Sequence, residues 1–167
     1  MPRLIKDREI VDDAYLVVRG DEPVDAMEGV PVIVSLPAWC ANRDALRLRG
    51  DVGVWLAPGD DPRALAEDLA SIAVVAIDFP NFTDGRGYST ARLLRERLRY
   101  EGELRAIGDI QRDQLYYLSQ VGFDAFAVRE DLDIEAAVAS LRDFTDGYQS
   151  TQVRTPWFRR RGSEVAA

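Results

Sequence analysis

Five short apolar runs recur between residues 32 and 128, at 32–36, 52–57, 74–79, 103–107 and 123–128. Segments with helical spacing or helix-capping chemistry separate them. Connections of that length are too long for hairpins and suit parallel strands joined by crossover helices. The spacing therefore predicts an α/β fold, a single domain of about five parallel strands alternating with helices through right-handed crossovers. An open sheet is the first expectation and a partial βα-barrel-like sheet the alternative. Curvature has one argument in its favour. Asp78 and Arg105 lie in otherwise apolar neighbouring strands, and charges there need either each other or a wet mouth such as a barrel offers. The two are expected to pair at the rim.

The flanks add less. Residues 3–19 read as two short strands with a turn near Val11 to Asp13, an N-terminal hairpin followed by a loop up to residue 30. Asp61 and Pro62 mark a helix start, as do Ser89 and Asp133, while Gly102 and Gly122 stand where helices end. The domain is taken to run over residues 1–150. Residues 151–167 form a basic aromatic tail in which Trp157 and Phe158 adjoin Arg159, Arg160 and Arg161. That cluster suits docking on an acidic partner or on a second copy of the chain.

Absences exclude whole classes of chemistry. The sequence has no histidine, a single lysine (Lys6) and a single cysteine (Cys40). Imidazole catalysis, His-ligated metals, a Walker lysine and a dithiol redox pair are all excluded. Cys40 is expected to be a small buried apolar residue, and no metal site is expected. A net charge of −8 argues against nucleic acid and against an anionic membrane. With no apolar run near the ~20 residues of a membrane helix and no signal core in MPRLIKDREI, the cytoplasm is the expected location.

The loop after the third run, PNFTDGRGYST, holds the densest functional chemistry. Asp84, Gly85, Arg86, Gly87, Tyr88 and Ser89 stand where α/β proteins place their sites, and Arg105 and Arg112 are added as ligand-binding residues. Two glycines, a helix start after Ser89 and the guanidinium of Arg86 would together hold a small oxyanion or phosphate group. Asp78, Tyr88 and Asp109 are the catalytic candidates. GRGYST copies only part of a dinucleotide fingerprint, because Thr90 replaces the third glycine. The residues name no cofactor.

FPNFTDGRGYSTARLLRER, GELRAIGDIQRDQLYYL, GFDAFAVRED and the terminal PWFRRR resemble the bacterial family called domain of unknown function 934, described as an oxidoreductase involved in sulfite reduction. The resemblance implies a cytoplasmic component of sulfate assimilation. Two readings follow from it: an oxidoreductase or electron-transfer component of assimilatory sulfite reduction using a borrowed cofactor, or a non-catalytic accessory protein that docks on sulfite reductase through the tail.

Overall fold

The structure, a computed structural model, describes residues 2–20, 27 and 29–141. The tail residues Trp157 to Arg161, and the expected boundary at residue 150, lie outside the described residues. Among the described residues eight strands form one sheet: β1 (Arg3–Lys6), β2 (Glu9–Asp12), β3 (Leu16–Val17), β4 (Val32–Ser35), β5 (Val52–Leu56), β6 (Val74–Phe79), β7 (Glu103–Gly108) and β8 (Ala125–Phe126). Their order is β2-β1-β8-β7-β6-β5-β4-β3. The five expected strands, β4 to β8, are parallel neighbours, and β3 joins them as a sixth. β1 and β2 pair antiparallel and attach to β8.

Strictly sequential parallel order means that right-handed crossovers put every helix on the same face. The core agrees. The larger apolar cluster joins Val54, Val75, Ile77, Phe79, Leu104 and Phe126 to the helical residues Trp39, Leu65, Leu94, Leu115 and Ala137. A smaller cluster on the other face, Ile33, Val74, Ala76 and Ile107, is packed by Tyr15, Val17, Trp55 and Ala127, none of them helical. The sheet is open, because among the described residues β2 and β3 are its edges, yet it is curled into a half-barrel.

A short strap shows how far it curls. Residues 13–15 alone carry the chain from β2 at one edge to β3 at the other. Eight flat strands at about 4.8 Å spacing would hold those edges about 34 Å apart. From Asp12 to Leu16 an extended chain reaches only about 14 Å. The hairpin is therefore real, but its turn lies at Asp7 and Arg8, both at positive φ, and Leu16 and Val17 belong to the far edge. Val11 to Asp13, expected as the turn, is instead the end of β2 and the start of the strap.

The strap rests on Arg105. That side chain, 1% exposed, donates from Nη1 to both Asp13 carboxylate oxygens at 2.9 Å. Its Nε donates to Glu103 at 2.8 Å, and its guanidinium lies 5.5 Å over the Tyr15 ring. Lys6 completes the cluster with an ion pair to Glu103 at 2.8 Å, which raises the lysine's pKa. Glu103 begins β7, so this layer closes the end of the half-barrel where the parallel strands start. Among the described residues no such layer of ion pairs closes the end where they finish.

The helices follow their capping chemistry. Ser35 caps α1 (Leu36–Ala41), accepting from the Ala38 amide. α2 (Arg43–Arg49) stops at Gly50, φ 74°. Asp61 and Asp133 cap as expected, Asp61 ahead of a 3-10 turn at Pro62–Leu65 and Asp133 ahead of α5 (Ile134–Ser140). The helix expected after Pro62 is two 3-10 turns instead, the second at Leu69–Ser71. Between them Asp68, fully buried, accepts from Trp39 Nε1 at 2.8 Å and pairs with Arg47 and Arg43. A carboxylate anchored on α1 and α2 in this way competes with regular helix geometry. Another 3-10 turn, Arg112–Gln114, leads into α4 (Leu115–Gln120), which ends before Gly122 at φ 111°.

Candidate functional site

The strand ends at the open mouth release three adjacent loops, residues 80–85, 109–114 and 127–133. The first ends differently from the sequence reading. Helix α3 is Arg86–Arg92, running on through a π turn at Leu93–Arg97, so Ser89 sits inside the helix and Gly85 is its cap. The Asp84 carboxylate accepts from the Arg86 amide at 3.1 Å and from its guanidinium at 3.0 and 2.6 Å. Those hydrogen bonds hold the Asp84 pKa below the usual carboxylate range. A donor set expected for a ligand is thus turned onto the loop's own carboxylate. The chain then leaves the π turn at Arg99, φ 57°, three residues ahead of the stop expected at Gly102.

Gly87 also has a different task. It is buried, and a Cβ there would stand 2.4 Å from Phe79 Cζ and 2.7 Å from Phe79 Cε1. The glycine lets α3 lie close on β6, which is a packing requirement rather than room for a ligand.

The second and third loops are stitched to the first. Asp109 accepts from the Phe82 amide at 3.2 Å and from Arg129 Nη1 at 2.9 Å. Arg129 also donates to Asp131 at 2.9 and 2.7 Å, and the hydrogen bonds to Asp131 and Asp109 raise its pKa. Gln114 donates to the Phe82 carbonyl at 2.8 Å and lies against Tyr88, whose pKa is raised by burial. Gly108, at φ 97°, brings β7 so close to β6 that a Cβ would stand 2.4 Å from the Phe79 carbonyl oxygen and 2.9 Å from Asp78 Oδ1. That approach presents Asp109 to both neighbouring loops.

Beside this rim, between the Arg112 turn, α4 and the loop after β8, opens a cleft of about 700 Å³. Arg112, Tyr116, Tyr117, Arg129, Leu132 and Ser140 are among the residues lining it. Its two arginines come from successive strand ends. Of the expected ligand-binding residues, Arg112 is here, and the Asp84 to Ser89 segment belongs to the neighbouring loop and helix. Arg105 is at the closed end.

Asp78 faces the helix-free side at the mouth. It is 8% exposed and pairs with Arg19 at 2.8 Å. The Arg19 guanidinium lies 5.6 Å over the Trp55 ring, and Trp55 Nε1 donates to the Val18 carbonyl at 2.9 Å. The expected Asp78–Arg105 pair does not form. Both face the same side, but Asp78 stands opposite Ile107 and Arg105 opposite Ala76, so each reaches a partner at its own end of the half-barrel.

Arg19, Trp55, Arg129, Tyr116 and Tyr117 did not stand out in the sequence. Arg129 alone carried a signal: it follows β8 much as Asp109 follows β7. Cys40, expected buried, is exposed with its Sγ 3.9 Å from Arg43 Nη2. Among the described residues no three metal-binding side chains of His, Cys, Asp or Glu converge. Nor is any helix there long and apolar enough to cross a membrane.

A family model described as bacterial protein of unknown function (DUF934) matches residues 53–158. The match takes in β5 to α5 and so the whole rim and cleft, while Arg19 and the strap precede it. No curated protein matches the chain.

Proposed function

Because the chain belongs to the bacterial family of unknown function DUF934, we propose that it acts within that family as a binding component of assimilatory sulfite reduction, holding a small oxyanion or phosphate group at the open rim. The observation that carries this reading is the pairing of Arg112 and Arg129 on one cleft, in a protein whose net charge is −8. A guanidinium offers a planar fork matched to two oxygens of an anion. Arg129 already holds carboxylates in that manner, and an anion in the cleft would take the place of the exposed Asp131.

The catalytic candidates fit a supporting role better. Asp109 is tied to Arg129 and the Phe82 amide, and burial moves the Tyr88 phenol further above its ordinary pKa, away from the range of a general base. An oxidoreductase built on this rim would need a bound redox cofactor, visible as absorbance above 300 nm in the purified protein.

The accessory reading has its own support. Phe82 and Tyr117 stand 46% and 61% exposed beside the rim arginines, a combination that favours protein contacts. A colourless protein that co-purifies with sulfite reductase would favour it.

Calorimetric titration with sulfite, sulfate and phosphate tests the binding. Arg129→Ala is expected to weaken it about tenfold, the worth of one charge-assisted hydrogen bond of roughly 1.5–3 kcal/mol. Failure of all three anions to bind at millimolar concentration would remove the reading. Growth of a deletion strain on sulfide but not on sulfate or sulfite tests the pathway, and unimpaired growth on all three would overturn it.

A further inference from the structure

We infer that the cleft takes a phosphate monoester carrying a planar ring, of mononucleotide size, rather than a free oxyanion. The inference rests on the anion reading above and deepens it. Three observations support it. First, about 700 Å³ lies within the roughly 300–1,000 Å³ typical of sites for whole small organic ligands. A five-atom oxyanion would leave most of that space to water.

Second, the lining couples two chemistries. Arg112 and Arg129 supply the cationic part, with Asp113 and Asp131 on the same wall for a ligand anion to displace or avoid, while Tyr116 and Tyr117 bring adjacent rings. These rings meet edge to face, with centroids 5.6 Å apart and planes at 76°. An edge-to-face pair steadies both rings, and Tyr117 remains 61% exposed. A large aromatic surface left in water beside a cation is the arrangement on which a planar ring stacks while its phosphate meets the guanidinium.

Third, charge limits the ligand to a small one. A net charge of −8 repels a polyanion over its whole length, whereas one phosphate at two arginines avoids most of that cost. Nucleobases and isoalloxazines share the required chemistry, a flat π face joined to a single phosphate, and titration separates them.

The test is calorimetry on the full chain with four probes: inorganic phosphate, ribose 5-phosphate, AMP and FMN. At least one of AMP and FMN is expected to bind about tenfold or more tightly than ribose 5-phosphate, the usual worth of one aromatic stack. Tyr117→Ala, at an exposed site where the fold tolerates change, should reduce that ligand to the affinity of ribose 5-phosphate and leave ribose 5-phosphate unchanged. A preference for AMP identifies a nucleobase and a preference for FMN an isoalloxazine. If both bind no more tightly than ribose 5-phosphate, the ring is wrong and the anion site stands. A ring preference that survives Tyr117→Ala also overturns the inference, since the ring would then sit elsewhere. If none of the four binds at millimolar concentration, the anion reading falls with it.

Discussion

Arg105 shows what a buried charge does in this protein. Its guanidinium is surrounded by Asp13, Glu103 and the Tyr15 ring, so removing it leaves the nearly buried Asp13 carboxylate without its cation and Glu103 with Lys6 alone. Arg105→Met is expected to cost about 3–5 kcal/mol in urea unfolding. Asp78→Asn acts on a separate pair with Arg19. The double mutant should therefore be additive to within about 0.5 kcal/mol, and a larger coupling would mean that the two networks communicate. Tyr100 gives a pH signature. Its hydroxyl donates to the Ile72 carbonyl at 3.0 Å, and burial pushes its pKa well above the ordinary value near 10. A folded-state pKa above the unfolded one means that the stabilisation is complete below about pH 10 and is lost as pH rises past it. Lys6, Tyr15 and Tyr88 are shifted in the same direction, so Tyr100→Phe should flatten the alkaline decline without abolishing it. Urea midpoints measured from pH 7 to 11 would show an unchanged slope if the phenol were irrelevant.

Among the elements, β6 and α3 depend on each other most closely. All six residues of β6 are buried, and α3 approaches them through Gly87. Gly87→Ala forces a methyl group against Phe79 and is expected to cost about 1–3 kcal/mol as an overpacked core. An unchanged melting temperature would show that the helix can shift instead. The same pair shows what the sequence could reveal. The apolar run of β6 and the stripe of Ala91 and Leu94 were legible because burial on one or both faces leaves a period in the residues. The start of α3 was not. Ser89 is a good cap by type, but the helix already starts after Gly85, where Asp84 takes the Arg86 amide, and that start depends on the turn at Asn81 to Asp84. The 3-10 turns around Asp68 were hidden for a similar reason, since their cause lies in Trp39, Arg43 and Arg47 of other elements. Within the site, Arg112 was recoverable from its place after a strand. The convergence of Arg129 with Tyr116 and Tyr117 depends on how α4 packs against the loop after β8, and no local pattern records that.

For the whole molecule, sequential strand order puts the most protected amides in the middle of the sheet. Hydrogen exchange is expected to be slowest at Val75, Ile77, Leu104 and Ala106, and orders of magnitude faster in β2 and β3, which each have one unpaired edge. Equal protection across the sheet would indicate that the edges are covered in solution. Alternation sufficed to predict parallel strands, but the single-sided winding was set by the order of strands in space. The curl of that sheet is held by the three-residue strap Asp13 to Tyr15, which in the sequence reads only as turn chemistry. The strap also bears on synthesis. β1 can pair with β8 only after Phe126 has been made and has left the ribosome, so the first strands translated are among the last to find their place. Until then β1 and β2 have only each other, whereas β3 can join β4 as soon as Ile33 has emerged. A shortage of late-stage chaperones, or a stalled ribosome short of β8, would release a chain whose strands β3 to β7 can form while the β7 edge stays uncovered and open to neighbouring chains.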